Sequence, residues 1–489
     1  MAVAAAPPVP GDHAFFGHPR GLSTLFFTEM WERFSYYGMR ALLILFMTAP
    51  ASAGGLGFDT AVAGAIYGLY TSSVYMACLP GGWIADRLIG ARRAVLYGGI
   101  LIAAGHFSMA VQSLAFFYLG LTLIVVGTGL LKGNVAVIVG QLYAKDDQRR
   151  DAGFSIFYMG INLGAFIAPL VCGYLGQRVN WHVGFGAAGV GMTVGTVQYV
   201  LGGRSLGAAG VHPAQTLDGP ARGWTAAIAA VLVAIGAALF AGVLPIGATQ
   251  IADAAGVLLI GGAIAFFAWL FLSPGWTAVE RRRLIAVAIL FLAACLFWSQ
   301  FEQAGSTLNL FGDRATRTSV FGWEFPSSYY QALQPLFIIT FAPVFAWFWL
   351  RLGPREPSSP TKFSFGLLLV GSGFAILAVA ATFAATGVKV SPLWLVVTYL
   401  LHTWGELALS PVGMSAMTKL APARIAGLIM GVWYLSIAIG NFTGGRVSTL
   451  YGSMSLPTLF AVVAASGLAG GLLMAVISRP IQRLMSGVN

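Results

Sequence analysis

The chain runs to 489 residues, 58% of them hydrophobic and only 9% charged, where an ordinary soluble domain is about 25% charged. That balance excludes a soluble multidomain enzyme and a disordered chain. Uninterrupted apolar blocks of about 20 residues or more point to an all-α polytopic membrane protein, and their lack of alternation excludes a transmembrane β-barrel.

The opening MAVAAAPPVPGDH has no basic stretch and is broken by Pro7, Pro8 and Pro10, which predicts a cytoplasmic tail rather than a signal peptide. Helix 1 is expected at roughly 20–48. Its core is long enough to cross a bilayer, yet it contains Glu29, Glu32, Arg33 and Arg40. At about 100° per residue, Glu29, Glu32, Arg33, Tyr36 and Arg40 share one narrow stripe, with Tyr37 at its edge. A charge at the centre of a membrane helix costs about 2.5–3.5 kcal/mol on insertion scales, so the stripe must look into a wet or protein-lined interior. Two roles meet that demand: an ion or substrate path, or an internal ion pair in which Glu29 or Glu32 merely neutralises Arg33.

Helix 2 is expected near 60–85, ending at Gly81-Gly82 and the loop Asp86-Arg87-x-x-Gly90-x-Arg92-Arg93. Helices 3 and 4 follow near 93–112 and 115–142, with Lys132 deep in the second. Helices 5 and 6 take roughly 152–173 and 183–202. A polar linker at 203–223 with Pro213 and Pro220 marks a boundary. Two segments near 224–245 and 250–273 carry almost no charge except Asp253 and read as peripheral, lipid-facing helices. After Glu280-Arg281-Arg282-Arg283, further helices are expected near 284–311, 327–352, 363–386, 391–419, 423–449 and 455–478. The total is fourteen: a six-helix bundle over 1–202, a linker with two inserted helices over 203–280, and a second six-helix bundle over 281–489. The halves echo each other only faintly, in Arg87-Leu88-Ile89-Gly90 and Arg351-Leu352-Gly353.

The net charge of +11 invites a nucleic-acid reading, but no basic run with interleaved aromatics lies outside the apolar segments. Dividing the chain at its polar breaks leaves Arg178, Arg314, Arg317, Lys389 and Arg446 on one side and Arg33, Arg40 and Lys132 within helices. The remaining Lys and Arg fall on the other side, which by the positive-inside rule puts both termini in the cytoplasm. Cys78, Cys172 and Cys295 stand alone in apolar segments and imply neither a disulfide framework nor a metal site. No phosphate-binding loop, zinc-protease motif or supported nucleophile elbow occurs, so catalysis is not expected.

With the loops set aside, the interior ionisable set is Glu29, Glu32, Arg33, Arg40, Lys132, Glu302 and Glu406. Its acids outnumber its bases. At least one carboxylate is therefore expected to take up a proton or meet a substrate cation, unless one Glu stays protonated as a hydrogen-bond donor. Glu302 has Trp298 one turn before it and Ser306 one turn after, and Glu406 has His402 and Ser410 similarly placed. His402 and His106 read as structural.

Glu29-x-x-Glu32-Arg33-Phe34-x-Tyr36-Tyr37 resembles the ExxERFxYY signature of the proton-coupled oligopeptide transporter family. Phe157-Tyr158-x-x-Ile161-Asn162-x-Gly164 resembles the family's second signature, and Gly129-x-x-Lys132-x-Asn134 its helix 4 lysine motif. Gly431-Val432-Trp433-Tyr434 and the surroundings of Glu302 and Glu406 also fit. The loop beginning at Asp86 resembles the cytoplasmic helix 2–3 motif of the major facilitator superfamily.

The resemblance implies the major facilitator fold and a proton-driven symporter importing di- and tripeptides by alternating access. It would work without a cofactor, as a monomer, in a bacterial cytoplasmic membrane. A zwitterionic peptide would present its carboxylate to Arg33 and Lys132 and its amine to Glu406. Tyr36, Tyr37, Tyr75, Asn162, Trp298, Trp433 and Tyr434 would line pockets and bond the peptide backbone, with Glu302 and Gln334 completing the substrate set. Glu29, Glu32 and Arg33 would form the proton-sensitive group, and a Lys132–Glu302 pair would help set the closed state. Three positions depart from the family pattern: Gln334-Pro335 replaces Asn-Pro, Gly133 replaces the Pro after Lys132, and Gly68 stands where animal members carry a histidine. Proton coupling would then rest on the carboxylates. The rival expectations are a related carrier for nitrate or another anion, and a membrane receptor that binds peptide without moving it.

Overall fold

The computed structural model describes residues 13–485, apart from Lys145 and most positions between 216 and 245. The described chain is almost wholly helical: α1 (Arg20–Thr48), α2 (Thr60–Met76), α3 (Cys78–Ile84), α4 (Ala91–Met109), α5 (Leu114–Gln141), α6 (Arg150–Tyr174) and α7 (Trp181–Gly202) come first. They are followed by α8 (Ala248–Leu272), α9 (Ala278–Phe301), α10 (Thr307–Arg314), α11 (Leu333–Leu352), α12 (Ser359–Ala384), α13 (Leu393–Leu420), α14 (Ala426–Ser448) and α15 (Leu456–Leu484). Among the described residues, nine spans are long and apolar enough to cross a membrane. Glu29, Glu32, Arg33 and Arg40 keep α1 out of that set. The helix expected near 224–245 and the tail before residue 13 lie outside the described residues, so the expected count of fourteen is not reached from them.

Contacts divide the chain into two compact units, Met1–Leu42 with Met76–Gln250 and Leu43–Tyr75 with Ile251–Asn489. In the first unit α4 and α5 meet backbone to backbone. A Cβ at Gly98 would stand 2.6 Å from Gly127 O, and one at Gly127 would stand 2.7 Å from Gly98 O. Such approaches replace the hydrophobic drive that lipid cannot supply between helices. At the α5–α6 loop, His18 Nδ1 and Tyr143 Oη are 3.0 Å apart, and Arg149 donates to Asp147 Oδ2 at 2.8 Å and to Gly17 O at 3.2 Å. These bonds tie the segment before α1 to that loop.

In the second unit α2 packs on α14 through Gly68 and Gly445, where a Cβ on Gly68 would be 3.0 Å from Gly445 Cα. Helix α8 is exposed over much of its length, with Val257 73% and Leu258 76% exposed. It is nevertheless held to α14, since Arg446 Nη2 donates to Asp253 Oδ1 at 2.5 Å.

Three features differ from the sequence expectation. α9 starts at Ala278, ahead of the basic run and not after it, because Thr277 and Glu280 form a reciprocal capping box. The helix expected over 284–311 is broken after Phe301 by a tight turn at Glu302–Gly305 before α10 resumes. Between α10 and α11 a short hairpin pairs β1 (Ser319–Val320) with β2 (Trp323–Glu324), its turn made by Phe321 at φ 50° and Gly322 at φ 81°. Two positive φ values in sequence give the turn whose twist suits a two-residue hairpin.

Candidate functional site

Burial hides the charges of α1. Glu29, Glu32, Arg33 and Arg40 are each 5% exposed or less. Arg33 grips Glu32 with two donors, Nε to Oε2 and Nη2 to Oε1, the latter at 2.6 Å. The same Nε lies 3.4 Å from Glu29 Oε1. One guanidinium thus serves two carboxylates, and Glu29 Oε2 has no hydrogen-bond partner among the described residues. An unsatisfied buried acceptor costs about 1–3 kcal/mol, and more when charged. A proton or an arriving cation would complete this position. Arg33 also stands 5.0 Å from the Tyr36 ring centroid and 5.9 Å from that of Tyr37, and Arg40 is 5.7 Å from Tyr37. Guanidinium and ring faces therefore alternate along the stripe.

Lys132 enters on α5, half-buried and within electrostatic reach of Glu29, Glu32, Arg33 and Cys78. Glycine sets its position: a Cβ on Gly129 would stand 2.5 Å from Ala77 O, so only a bare backbone lets α5 approach the break between α2 and α3. Asn134 Nδ2 donates to Leu130 O at 2.7 Å and Gly81 O at 3.3 Å, fastening α5 to α3. Asn162 is buried on α6, where its Nδ2 donates to Tyr158 O at 3.1 Å. Two residues on, a Cβ at Gly164 would be 3.0 Å from Phe34 N of α1. The first unit thus brings Glu29, Glu32, Arg33, Tyr36, Tyr37 and Lys132 together, with Asn162 on the helix packed against α1.

The second unit holds the remaining candidates. Trp298 and Trp433 meet edge-on at 6.3 Å, and Trp298 Nε1 has no acceptor among the described residues. The contact depends on small residues, since a Cβ on Gly440 would stand 2.8 Å from Trp298 C. Glu302 is buried where α9 ends, one turn along from Trp298. Ser306 is not one helical turn further on the same face, because φ −123° and ψ −89° take it off the helical path. Gln334 lies half-buried in the first turn of α11, its Nε2 without an acceptor among the described residues. Glu406 is half-buried on α13, Tyr434 on α14 and Tyr75 near the end of α2.

Arg40 was recognised in sequence as an interior charge but given no role; the structure sets it on the Tyr37 ring. Its spacing of seven residues from Arg33, two helical turns, is the signal that would have assigned it. His106 is fully buried on α4, and a Cβ on Gly189 of α7 would stand 3.3 Å from its Cβ. His402 packs on Phe374 at 5.1 Å. Both are packing residues.

A chain with nine described spans long and apolar enough to cross a membrane, and with four charges buried on one further helix, has the make-up of a membrane transporter. The chain belongs to the POT family, whose sequence pattern matches residues 92–460. It is 43% identical to "Peptide transporter YePEPT" of Yersinia enterocolitica, the match covering 98% of each chain. It is 39% identical to the "Di-/tripeptide transporter" of Lactococcus lactis subsp. cremoris, over 98% of this chain and 99% of the relative. A crystal structure of peptide transporter POT in complex with sulfate superposes with a TM-score of 0.94 at 45% identity, covering 99% of this chain and 98% of the other. These matches carry the major facilitator type of fold with them.

Proposed function

We propose that this protein is a proton-coupled symporter that imports di- and tripeptides by alternating access. It works in a bacterial cytoplasmic membrane with both termini in the cytoplasm, as a monomer and without a cofactor. One observation carries the reading: a single buried guanidinium, Arg33, is shared by Glu29 and Glu32, and one carboxylate oxygen is left over. A buried carboxylate oxygen left without a donor responds to a proton or to a cationic group, and both arrive with a peptide. The relatives named for peptide transport support the substrate class.

In this reading, residues 1–202 and 281–489 form the two six-helix bundles, and residues 203–280 hold the linker and the two inserted helices. Arg33 and Lys132 receive the peptide carboxylate and Glu406 its amine, opposite charges for the two ends of a short zwitterion. Tyr36, Tyr37, Tyr75, Asn162, Gln334, Trp433 and Tyr434 surround the side chains, and Trp298 Nε1 donates to a peptide carbonyl. Glu29, Glu32 and Arg33 sense the proton, and a Lys132–Glu302 pair forms in the peptide-free closed state.

The test is uptake of labelled dialanine into proteoliposomes under an imposed inward pH gradient. Accumulation that collapses when the gradient is abolished supports the proposal. Binding without accumulation makes the protein a receptor, and nitrate uptake in place of peptide makes it an anion carrier.

A further inference from the structure

A pocket of about 600 Å³ opens where the start of α4 meets the end of α7 and the turn after it. It lies in the first unit, away from the α1 stripe. Three arginines line it, Arg92, Arg93 and Arg204, beside Leu96, Tyr199, Val200 and Val211, and no acidic side chain is among its described lining residues. The frame is rigid. Arg92 Nη1 donates to Gly207 O at 2.8 Å and its backbone N to Gly210 O at 2.8 Å, while Tyr199 Oη donates to Arg92 O at 3.0 Å. Gln141 Oε1 accepts from Gly210 N at 2.7 Å, closing the turn onto α5. Arg92 is thus committed to the frame. Arg93 and Arg204 are exposed and have no ion-pair partner among the described residues.

The apolar wall does not stop at the pocket. Tyr97 and Ile100 of α4 and Val197 and Leu201 of α7 are all exposed next to it, along the faces that a polytopic chain turns to lipid. A cationic head site continuous with an apolar track matches an amphiphile with a phosphate at one end and acyl chains at the other. Basic pockets between membrane helices hold such headgroups, and the positive-inside reading puts this end of α4 and α7 at the cytoplasmic leaflet.

We propose that this pocket binds one anionic phospholipid of the cytoplasmic leaflet, Arg93 and Arg204 pairing with its phosphate and Leu96, Val200 and Val211 covering the start of its chains. The inference rests on the proposed orientation but not on the peptide substrate. A guanidinium is well matched to phosphate because its donors form a fixed fork.

The experiment uses the full-length protein, purified in detergent, delipidated and offered phosphatidylglycerol or phosphatidylcholine, with bound lipid counted by native mass spectrometry. Each basic residue near an anionic lipid surface contributes about 1 kcal/mol, roughly a factor of five in affinity. Removing two with R93Q/R204Q should weaken phosphatidylglycerol binding about 25-fold and leave phosphatidylcholine binding unchanged. The control R281Q/R282Q, which removes two charges outside the pocket, should retain wild-type binding. Equal loss in the control, or full binding by R93Q/R204Q, overturns the proposal. Displacement of the lipid by millimolar inorganic phosphate overturns it as well, since the pocket would then read a free anion. Transport of peptide enters none of these readouts, so failure here and failure of the proposed function remain distinct.

Discussion

Replacing Gly445 by alanine tests the seam between α2 and α14. A Cβ there would stand 2.7 Å from Gly68 N and 3.0 Å from Gly64 O, and closer still to Gly68 Cα. Carbon contacts settle at about 3.5–4.0 Å, so the two backbones must part by roughly 1 Å. The atoms in the way are backbone, and no rotamer change relieves them. Overpacking of this kind costs about 1–3 kcal/mol, offset by the roughly 0.5–1 kcal/mol that alanine gains over glycine in a helix. The net is a loss of about 0–2.5 kcal/mol, centred near 1, or about fivefold in the affected equilibrium. The assay is the thermal unfolding midpoint in detergent, with Gly262→Ala as reference, because a Cβ there meets nothing within 4 Å. G262A should match or exceed wild type, and G445A should fall below both. G68A should move the same way as G445A, since its Cβ would lie 3.1 Å from Phe442 O. If G445A proves as stable as G262A, the close approach of α2 and α14 is wrong.

Glu32→Gln removes one of the two carboxylates that share Arg33 and leaves a neutral acceptor in its place, with Glu29 as the remaining charge. Uptake driven by a pH gradient should fall to background while peptide counterflow persists; equal loss of both would make the pair a structural brace. Acetylating the amine of a competing dipeptide should weaken inhibition of uptake at least tenfold in wild type and little in Glu406→Gln. Similar weakening in both proteins would remove Glu406 from the amine site. Asp147 is held down to about 2, first by the side-chain and then by the backbone hydrogen bond from Arg149, against an ordinary value of 3.8. The folded chain binds this proton less readily than the unfolded one, so the contribution is full above the unfolded value and fades as pH falls from about 4 towards 2. The difference in thermal midpoint between wild type and D147N should hold steady from about pH 8 to 5 and shrink near pH 3, and a difference that grew on acidification would refute the assignment.

The helices were legible wherever the apolar runs were long, because a bilayer admits almost no other answer. What escaped was punctuation. The start of α9 depends on Thr277 and Glu280 bonding each other, which carries the helix back through the basic run that the sequence reading places before it. Its end depended on Gln303-Ala304-Gly305-Ser306, a run with little packing volume and two residues that favour turns, yet embedded in hydropathy high enough to read straight through. The hairpin at Ser319–Glu324 escaped for the opposite reason, since Phe321 rather than Asn or Gly takes one of its two positive φ positions.

The site was legible in proportion to the cost of each residue in lipid. Glu29, Glu32, Arg33 and Lys132 could be grouped because a charge in an apolar helix must find company, and α1 periodicity named most of it. Tryptophan carries no such penalty, so nothing in the sequence paired Trp298 with Trp433. That pairing needs Gly440 to admit α9, and Gly413 to leave room for the Trp433 ring. The residues that let helices approach are invisible to a reading based on charge. They nevertheless decide where the charges stand: Lys132 reaches the neighbourhood of Arg33 only because Gly129, three residues earlier, lets α5 touch the backbone at Ala77. A methyl at Gly129 should therefore disturb the charged cluster without touching any member of it.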